Sequence, residues 1–522
     1  MVITVDYETN CPAQTGGTRQ AIDTREPRID TTYISRLDVH STMDESDLSS
    51  DLREKMERHR EGTTGASGTL VPSSREGYVG DTITLQGRDF APECDYELLW
   101  HSTDGSWGVL RAHEIVGPQY RPRTEVITTV TTDESGAFDE EWTVPEDYGG
   151  GHRIELRRDG ETVADADFEI VPWFEIDRTE APLGEGFVVT GYGLGPNVST
   201  NNYQIAWDNG YVGFVTGVKN RGTATAEVRA VGPPGDHVLQ VWRNYRGVPY
   251  VTNNTQSPLG PVAGGRQSVW TVEVTEPETP PETAWVDRLF EEHPIEAHYP
   301  DIDEDTDAEL DISPEYGQAG TDAIVTGEGF PANTEVDLLW YQHVGEGIRG
   351  TDVVPRPKRD VLPTVTTDGR GRFQVDVEVP VAEGSTRPIV AEVDGREVAV
   401  TGFMMQPSIE TFEPTSGPVG TEIEIELSGI GWTNYENSPF FVYDNQLLGY
   451  GCGTSDDYHS TTVRTVLRAA GEPGYHCIDV YPSLFRMKED EPEFEVKPHL
   501  SYHDNHPVRP LPACHMVFEV TE

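Results

Sequence analysis

Lysine is nearly absent from this sequence, which contains only Lys55, Lys219, Lys358, Lys488 and Lys497. Lys and Arg together number 38 against 91 Asp and Glu, so the formal net charge is −53. A protein that binds nucleic acid needs a basic footprint, and anionic membranes also attract basic segments. The composition therefore excludes nucleic acid as a partner and predicts no membrane insertion.

Long apolar runs and catalytic fingerprints are missing as well. Residues 1–30 hold no apolar stretch of signal-peptide length, and no run reaches the roughly eighteen apolar residues that span a bilayer. No GxSxG, HExxH, Walker or Rossmann motif occurs. We expect a soluble, unanchored chain that is not an enzyme and needs no cofactor.

The acidic composition still belongs to a folded chain, because 35% of the residues are hydrophobic and 9% are aromatic. Abundant carboxylates with few lysines are typical of proteins from salt-loving archaea, where molar salt shortens the Debye length to about 3 Å. We interpret the charge as adaptation to high monovalent salt. The competing interpretation is a surface that binds divalent cations, as in a calcium-dependent adhesin.

Alternating strands are the main local signal. In "PTSGPVGTEIEIELSGIGW" (414–432), Ile423, Ile425 and Leu427 alternate with glutamates, as expected for a strand that covers a core on one face and meets solvent on the other. Similar stretches separated by Gly, Pro, Asn or Asp turns recur along the chain. We read Asp208-Asn209-Gly210 and Asp444-Asn445 as hairpin turns. The pattern predicts an all-β fold.

Two kinds of segment recur in order. "YVGDTITLQGRDFAPECDYELLW" (78–100) matches "QAGTDAIVTGEGFPANTEVDLLW" (318–340), and "AVGPPGDHVLQVW" (230–242) matches "AAGEPGYHCIDVY" (469–481). The chain is therefore predicted to be a duplicated A-B-A′-B′ array of β-sandwiches. The predicted boundaries are an N-terminal extension at 1–68, modules at 69–172, 173–275, 311–407 and 408–522, and an acidic hinge at 276–310.

The string "IETFEPTSGPVGTEIEIELSGIGW" resembles the opening of an IPT/TIG-type immunoglobulin-like domain, in which a Pro-x-Ser-Gly-Pro turn precedes the first core strand. Looser copies begin the other modules. The resemblance implies immunoglobulin-like sandwiches and a role in interaction or spacing, as in receptors, adhesins, surface-layer proteins, virion appendages and accessory modules of secreted enzymes. It does not imply an activity.

Two segments lie outside the predicted sandwiches. Leu48, Leu52 and Met56 form a narrow apolar stripe on a short predicted helix, which must dock on the first sandwich or on a partner. The hinge offers a short helix around Trp285, Leu289 and Phe290 before it becomes acidic. The stripe is our candidate partner-docking site.

Metal and thiol sites have weak sequence signals. Asp301, Asp303 and Asp305 have the first spacings of a calcium loop, but the turn glycine and the closing acid are absent, which favours a solvated linker. The C-terminal stretch gathers ligand types that could hold a metal, although its prolines favour a surface tail: His499, His503, His506, Cys514 and His515.

The five cysteines, an odd number at irregular spacing, form neither a disulfide scaffold nor a CxxC zinc site: Cys11, Cys94, Cys452, Cys477 and Cys514. We predict a Cys452–Cys477 disulfide in the fourth module, with Cys514 as the rival partner. His476 and Cys477 are neighbours on a strand and point to opposite faces, so they should not form a catalytic dyad.

Three function classes remain. The first is a structural or attachment protein on the surface or tail of a virus of halophilic archaea, which associates with itself, with other structural proteins of the assembly and with a host surface glycan or glycoprotein. The second is a secreted or surface-layer adhesin, with Asn197 and Asn253 as glycan acceptors. The third is a non-catalytic, carbohydrate-binding accessory protein. All three place the chain on a virion or outside the cell.

Overall fold

The computed structural model describes residues 68–110, 114–196, 201–245, 248–249, 251, 266–288, 302, 306–349, 352–431, 438–453, 462–484, 498–507 and 512–522. Within these ranges the chain forms 34 strands and one helix of four residues. The strands form eight sheets, and each of four modules contains one three-stranded sheet and one larger sheet. The all-β, multi-module prediction is confirmed, and no helix in the described ranges has the length and apolarity needed to span a membrane.

The first module, A, has the sheet orders β1-β3-β6 and β2-β8-β7-β4-β5. Its strands are β1 (Thr69–Pro72), β2 (Glu76–Gly77), β3 (Thr82–Arg88), β4 (Asp95–Leu110), β5 (Glu114–Thr131), β6 (Phe138–Thr143), β7 (Gly150–Arg158) and β8 (Glu161–Ile170). The core lies between the two sheets and includes Trp100, Trp142 and Phe168.

The second module, B, has the orders β14-β11-β9 and β10-β17-β15-β12-β13, and β16 pairs with β15. Its strands are β9 (Trp173–Ile176), β10 (Glu180–Pro182), β11 (Gly186–Tyr192), β12 (Tyr203–Trp207), β13 (Gly210–Val215), β14 (Ala224–Arg229), β15 (Gly235–Tyr245), β16 (Val248–Pro249) and β17 (Arg266–Thr275).

The third module, A′, has the orders β19-β21-β24 and β20-β26-β25-β22-β23, so its strands pair as those of module A do. They are β19 (Glu309–Ser313), β20 (Tyr316–Gly317), β21 (Asp322–Glu328), β22 (Glu335–Arg349), β23 (Asp352–Thr366), β24 (Phe373–Glu378), β25 (Ser385–Val393) and β26 (Arg396–Met405).

The fourth module, B′, has the orders β27-β29-β32 and β18-β34-β33-β30-β31, and β28 also pairs with β34. Its strands are β18 (Ala284–Val286), β27 (Ser408–Glu413), β28 (Ser416–Pro418), β29 (Glu422–Ser428), β30 (Phe440–Tyr443), β31 (Gln446–Tyr450), β32 (Val463–Arg468), β33 (Gly474–Tyr481) and β34 (Cys514–Thr521). Helix α1 (Tyr502–Asn505) lies between β33 and β34.

The glutamate-rich strand behaves as its alternation predicts. On β29, Ile423, Ile425 and Leu427 are at most 1% exposed, whereas the intervening glutamates lie on the other face. The two predicted hairpin turns are also confirmed, because positive φ angles at Asp208-Asn209 and Asp444-Asn445 close the β12–β13 and β30–β31 hairpins.

The predicted acidic hinge at 276–310 is wrong in part. Residues 284–286 form β18, which pairs antiparallel with β34, and β19 of module A′ already begins at Glu309. The helix expected around Trp285 is therefore a strand at that residue, while Leu289 and Phe290 lie outside the described residues. Residues 284–286 form a strand because they pair with the edge of β34 in module B′, and the local composition does not indicate this pairing.

The predicted surface tail is also wrong. Residues 514–521 form β34, which lies between β33 and β18 in the larger sheet of B′. Met516, Phe518 and Val520 are at most 2% exposed and belong to the core of the module. The alternating apolar residues of "CHMVFEV" carried this signal, and the prolines that precede them obscured it.

The long hairpin of module A rests on module B. Strand β4 pairs with β7 only over Glu97–His101, so the β4–β5 hairpin continues beyond the sheet. The Tyr148 hydroxyl donates to the Val218 carbonyl, and Arg221 forms a 3.1 Å ion pair with Asp104 on the hairpin. Modules A and B are therefore in direct polar contact.

Candidate functional site

Modules B and B′ share one hydrophobic cluster, and the site described below lies within that contact. The cluster combines core residues of B with residues of B′: Val442, Cys477, Tyr481, Leu500, Tyr502, Ala513 and Val517. We call this contact the B–B′ interface. It joins residues more than 200 positions apart in the chain, so no local pattern could have predicted it.

A segment of B′ contacts the larger sheet of B, and its first residues, 498–500, pair with an edge strand of that sheet. Residues 498–507, here named the clasp segment, follow β33 in the chain, and residues 498–500 lie beside the edge strand β13. The Phe214 amide donates to the Pro498 carbonyl at 3.0 Å, and the Leu500 amide donates to the Phe214 carbonyl at 2.8 Å. The clasp segment therefore covers an edge that would otherwise present unpaired backbone groups.

Side chains of the clasp segment fix its position on B. Ser501 Oγ accepts from the Thr216 amide at 2.9 Å and donates to the Thr216 carbonyl at 2.9 Å. Asn505 Oδ1 accepts from the Lys219 amide at 2.8 Å. Ser501 and Asn505 are fully buried, and buried polar groups are tolerated because they are hydrogen-bonded.

A buried charge network lies at the centre of the interface. Arg229 at the end of β14 donates from Nη1 to Asp479 Oδ1 on β33 at 2.7 Å, and His515 Nδ1 on β34 meets the same oxygen at 2.6 Å. His515 Nε2 lies 3.1 Å from Asp287 Oδ1, and the Tyr502 hydroxyl also donates to Asp287. Two cations and two carboxylates thus neutralise one another across the modules.

Trp285 closes the network from the side of β18. Its ring stacks on the His515 ring with 5.0 Å between centroids, and Arg229 Cζ lies 4.8 Å from the Trp285 ring centroid. Strand β18 therefore contributes both a cation–π partner and an antiparallel strand to the same interface.

The pKa values agree with a fully ionised network. Burial disfavours the charged form of His515, but the hydrogen bonds and charges of Asp287 and Asp479 outweigh it and raise the pKa of His515 to about 9. Burial also disfavours the charged form of Asp479. The charges and hydrogen bonds of Arg229 and His515 outweigh this effect and lower the pKa of Asp479 below its ordinary value. At neutral pH all four groups are charged.

The network is not fully hydrogen-bonded, since Arg229 Nη2 and Asp479 Oδ2 are buried without a hydrogen-bond partner among the described residues. Cys514 precedes His515 in sequence but belongs to the core on the opposite face of β34, and burial raises the pKa of its thiol to about 12. In the described part of the chain, no group of three or more His, Cys, Asp or Glu side chains could hold a metal ion. The ion pair of Arg229 and Asp479 joins modules B and B′.

The C-terminal ligand types form no metal-holding group within the described residues, although His499 and His506 stack with 5.8 Å between their ring centroids. His499 stacks on Phe214 at 4.9 Å between ring centroids, and His515 belongs to the charge network. His506 and Cys514 are buried. His503 stacks on Tyr502 at 4.1 Å, and burial lowers its pKa to about 4.

The Cys452–Cys477 disulfide is not formed, and all four described cysteines are free thiols. Strand β30 lies between β31, which ends shortly before Cys452, and β33, which carries Cys477. Phe440 on β30 lies opposite both Tyr450 on β31 and Tyr481 on β33. Cys452 lies beyond Tyr450, near Ser438, whereas Cys477 lies in the middle of β33 beside Asp444. A separation of several residues along strands exceeds the roughly 7 Å that a disulfide bridges.

Two His–Asp pairs occur at matching places in B and B′. His237 Nδ1 lies 2.6 Å from Asp208 Oδ2, and His476 forms a 2.5 Å pair with Asp444. In each, the aspartate occupies the hairpin turn and also accepts from the amide that follows the histidine. His476 faces Asp444 and not Cys477, so the interpretation of His476 as a strand residue is confirmed.

Several predicted site residues lie outside the described ranges. They are the docking candidates Leu48, Leu52 and Met56, the calcium candidates Asp301, Asp303 and Asp305, the glycan candidates Asn197 and Asn253, and Cys11.

A cleft of about 800 Å³ lies beside β18, where modules A′ and B′ meet. Its walls mix aromatic and polar side chains, among them Trp285, Asp287, Tyr316, Gln318, Gln406 and Phe412. The cleft shares Trp285 and Asp287 with the charge network.

No family model matches this chain, and no curated protein matches it. Among solved structures, elastase-activated alpha-2-macroglobulin of Escherichia coli aligns with 80% of this chain at 12% identity and a TM-score of 0.17. The chain spans 42% of that protein's length. The Yersinia pseudotuberculosis adhesin InvE aligns with 45% of this chain and 58% of its own at 15% identity and a TM-score of 0.15.

Red sea bream transglutaminase aligns with 44% of this chain and 34% of its own at 11% identity and a TM-score of 0.14. At such TM-scores these alignments assign neither a family nor an activity. The fold and the site together define a multi-module all-β protein whose second and fourth modules are interlocked.

Proposed function

We propose that this chain is a non-enzymatic structural or attachment protein, built from two copies of an immunoglobulin-like pair of modules. The matching strand orders of A and A′ support the duplication. So do the matching contacts between neighbouring modules: the Gly149 amide donates to the Leu194 carbonyl at 3.0 Å, and the Gly384 amide donates to the Ile430 carbonyl at 2.9 Å.

One observation carries the proposal: a fully buried ion pair joins modules B and B′. Asp479 is 0% exposed and Arg229 is 3% exposed, and each is the other's partner across the B–B′ interface. A buried ion pair is poor evidence of stability by itself, but it specifies one arrangement of the two partners. A fixed arrangement of sandwiches is what a spacer or an attachment fibre requires.

The proposed setting is the surface or tail of a virion that infects halophilic archaea. The support is the net charge of −53 with five lysines, since molar salt screens the repulsion that such a surface suffers in dilute buffer. The proposed partners are further copies of the chain, other structural proteins of the assembly, and a host surface glycan or glycoprotein.

Immunogold labelling tests this setting. Antibodies raised against the purified chain should label intact virions released by the organism that encodes it, and should label washed cell envelopes no more than pre-immune serum does. Label on envelopes but not on virions would contradict the proposed virion component and favour a surface-layer adhesin.

The cleft beside β18 favours a second candidate, a carbohydrate-binding accessory protein. Aromatic rings with amide and carboxylate side chains are the chemistry that recognises sugars, and Tyr316 is 36% exposed there. Tyr316→Ala should abolish retention on immobilised envelope oligosaccharides. Tyr78→Ala is the matched control, because Tyr78 is 48% exposed on module A and does not line the cleft.

A further inference from the structure

The edge of β34 shows how B′ obtains a strand from outside its own module. Strand β18 pairs with β34 in the register Ala284↔Met516, Trp285↔His515 and Val286↔Cys514. The Val517 amide donates to the Thr283 carbonyl at 2.8 Å. Two residues further along the same edge, the Glu519 amide donates to the Thr415 carbonyl at 3.0 Å.

The corresponding strand of module B is β17, and the sheet registers align the two strands residue by residue. Gly235 lies opposite Val274 in B, as Gly474 lies opposite Val520 in B′. The Glu273 amide donates to the Thr179 carbonyl at 2.8 Å, as the Glu519 amide does to Thr415. Ser268, Val269 and Trp270 therefore occupy the places of Cys514, His515 and Met516.

The edge of β17 is unpaired at these residues within the described part of the chain. Strand β10 pairs with β17 only at Glu273–Thr275, and β15 occupies the other side. The Thr271 amide points to the same edge as the Glu273 amide because outward amides alternate along a strand. Val269 is 45% exposed there.

The sequence holds a second copy of the strand that fills this place in B′. Residues 283–289 read TAWVDRL, and residues 31–37 read TTYISRL. Thr, Arg and Leu are identical, Tyr33 replaces Trp285, and Ile34 replaces Val286. Each copy precedes an A-type module, as a duplicated unit requires.

We propose that residues 31–37 form the missing edge strand of module B, pairing antiparallel with β17 in the register Thr32↔Trp270, Tyr33↔Val269 and Ile34↔Ser268. This inference rests on the proposed duplication. The Thr31 carbonyl accepts from the Thr271 amide, and the Tyr33 ring covers Val269. The segment itself lies outside the described residues.

Chain length allows this pairing within one molecule. Residues 38–68 separate the segment from β1, and 31 extended residues reach about 100 Å. That reach exceeds the length of one module, so a segment that precedes A can extend past it to B. The N-terminal strand then ties the start of the chain to module B, as β18 ties B to B′.

Cysteine cross-linking tests the register in the full chain. Tyr33→Cys with Val269→Cys should form a disulfide under mild oxidation, identified by peptide mass mapping, because opposed residues in an antiparallel pair lie within disulfide range. Tyr33→Cys with Val126→Cys is the matched control, since Val126 is 58% exposed on module A. Equal yields from the two pairs would overturn the proposal, and so would a disulfide found only between two copies of the chain.

Hydrogen exchange gives a second readout that needs no new thiol. Tyr33→Asp should speed exchange of the Thr271 amide at least about tenfold, because it places a charge against Val269 and opens the pair. Tyr7→Asp makes the same change outside the matching segment and should leave that amide unaffected. An unchanged Thr271 amide in Tyr33→Asp would overturn the proposal. Neither experiment depends on virion labelling, so this inference and the proposed function can fail separately.

Discussion

Removing the shared carboxylate of the charge network should loosen the B–B′ interface more than any conservative surface change. Asp479→Asn keeps the shape of the side chain but removes the charge that Arg229 meets at 2.7 Å and His515 at 2.6 Å. His515 keeps Asp287, whereas Arg229 loses its ion-pair partner and keeps only the charge of Glu227, which lies beyond ion-pair distance. Breaking a buried pair in this way costs about 3–5 kcal/mol.

The amides that cross the interface report this loss directly. Phe214 and Leu500 each make one backbone hydrogen bond between the clasp segment and β13, so their exchange measures local opening. A loss of about 3 kcal/mol corresponds to exchange more than about a hundredfold faster.

Glu426→Gln is the matched control, an acid-to-amide change in the same module. Its partner Arg464 lies at 2.9 Å and is 76% exposed, so the change should cost about 0–1 kcal/mol. If Asp479→Asn speeds exchange at Phe214 and Leu500 no more than Glu426→Gln does, the network does not hold the modules together and our reasoning is refuted.

Three further outcomes follow from the same structure. Because the pKa of His515 is raised to about 9, its contribution to stability is complete below pH of about 6.5 and is lost as pH rises through about 9. Melting curves should show this loss of stability, and the pH dependence should disappear in His515→Gln. The thermal midpoint should rise between dilute buffer and molar KCl, and a midpoint independent of salt would remove the halophile argument. A thiol reagent should label exposed Cys452 in the native protein and label buried Cys477 and Cys514 only after unfolding; equal labelling rates would contradict the described burial.

The sequence predicted what depends on short-range pattern. The alternation over Ile423, Ile425 and Leu427 placed a strand with its buried face correctly, and the Asp-Asn turns placed two hairpins. These features depend on side-chain alternation and on residues that tolerate positive φ, both of which can be read within a few positions.

The candidate site could not be read in that way. Arg229 and Asp479 are 250 residues apart, and each stands in a strand whose neighbours give no signal of a distant partner. Residues 284–286 and 498–500 become extended because they meet the edges of remote strands. The error at Cys477 has the same origin, since its place beside β30 and in the B–B′ interface is set by sheet order.

The central claim is that B and B′ are interlocked, so that the two halves of the chain form one body without a covalent link. A site-specific protease sequence placed at residue 295, between β18 and β19, allows the chain to be cut after folding in molar KCl. We predict that the fragments, 1–295 and 296–522, co-elute in size-exclusion chromatography at micromolar concentration, and that they separate when the chain carries Asp479→Asn. Fragments of the unsubstituted chain that elute separately would show two halves on a hinge and contradict the account.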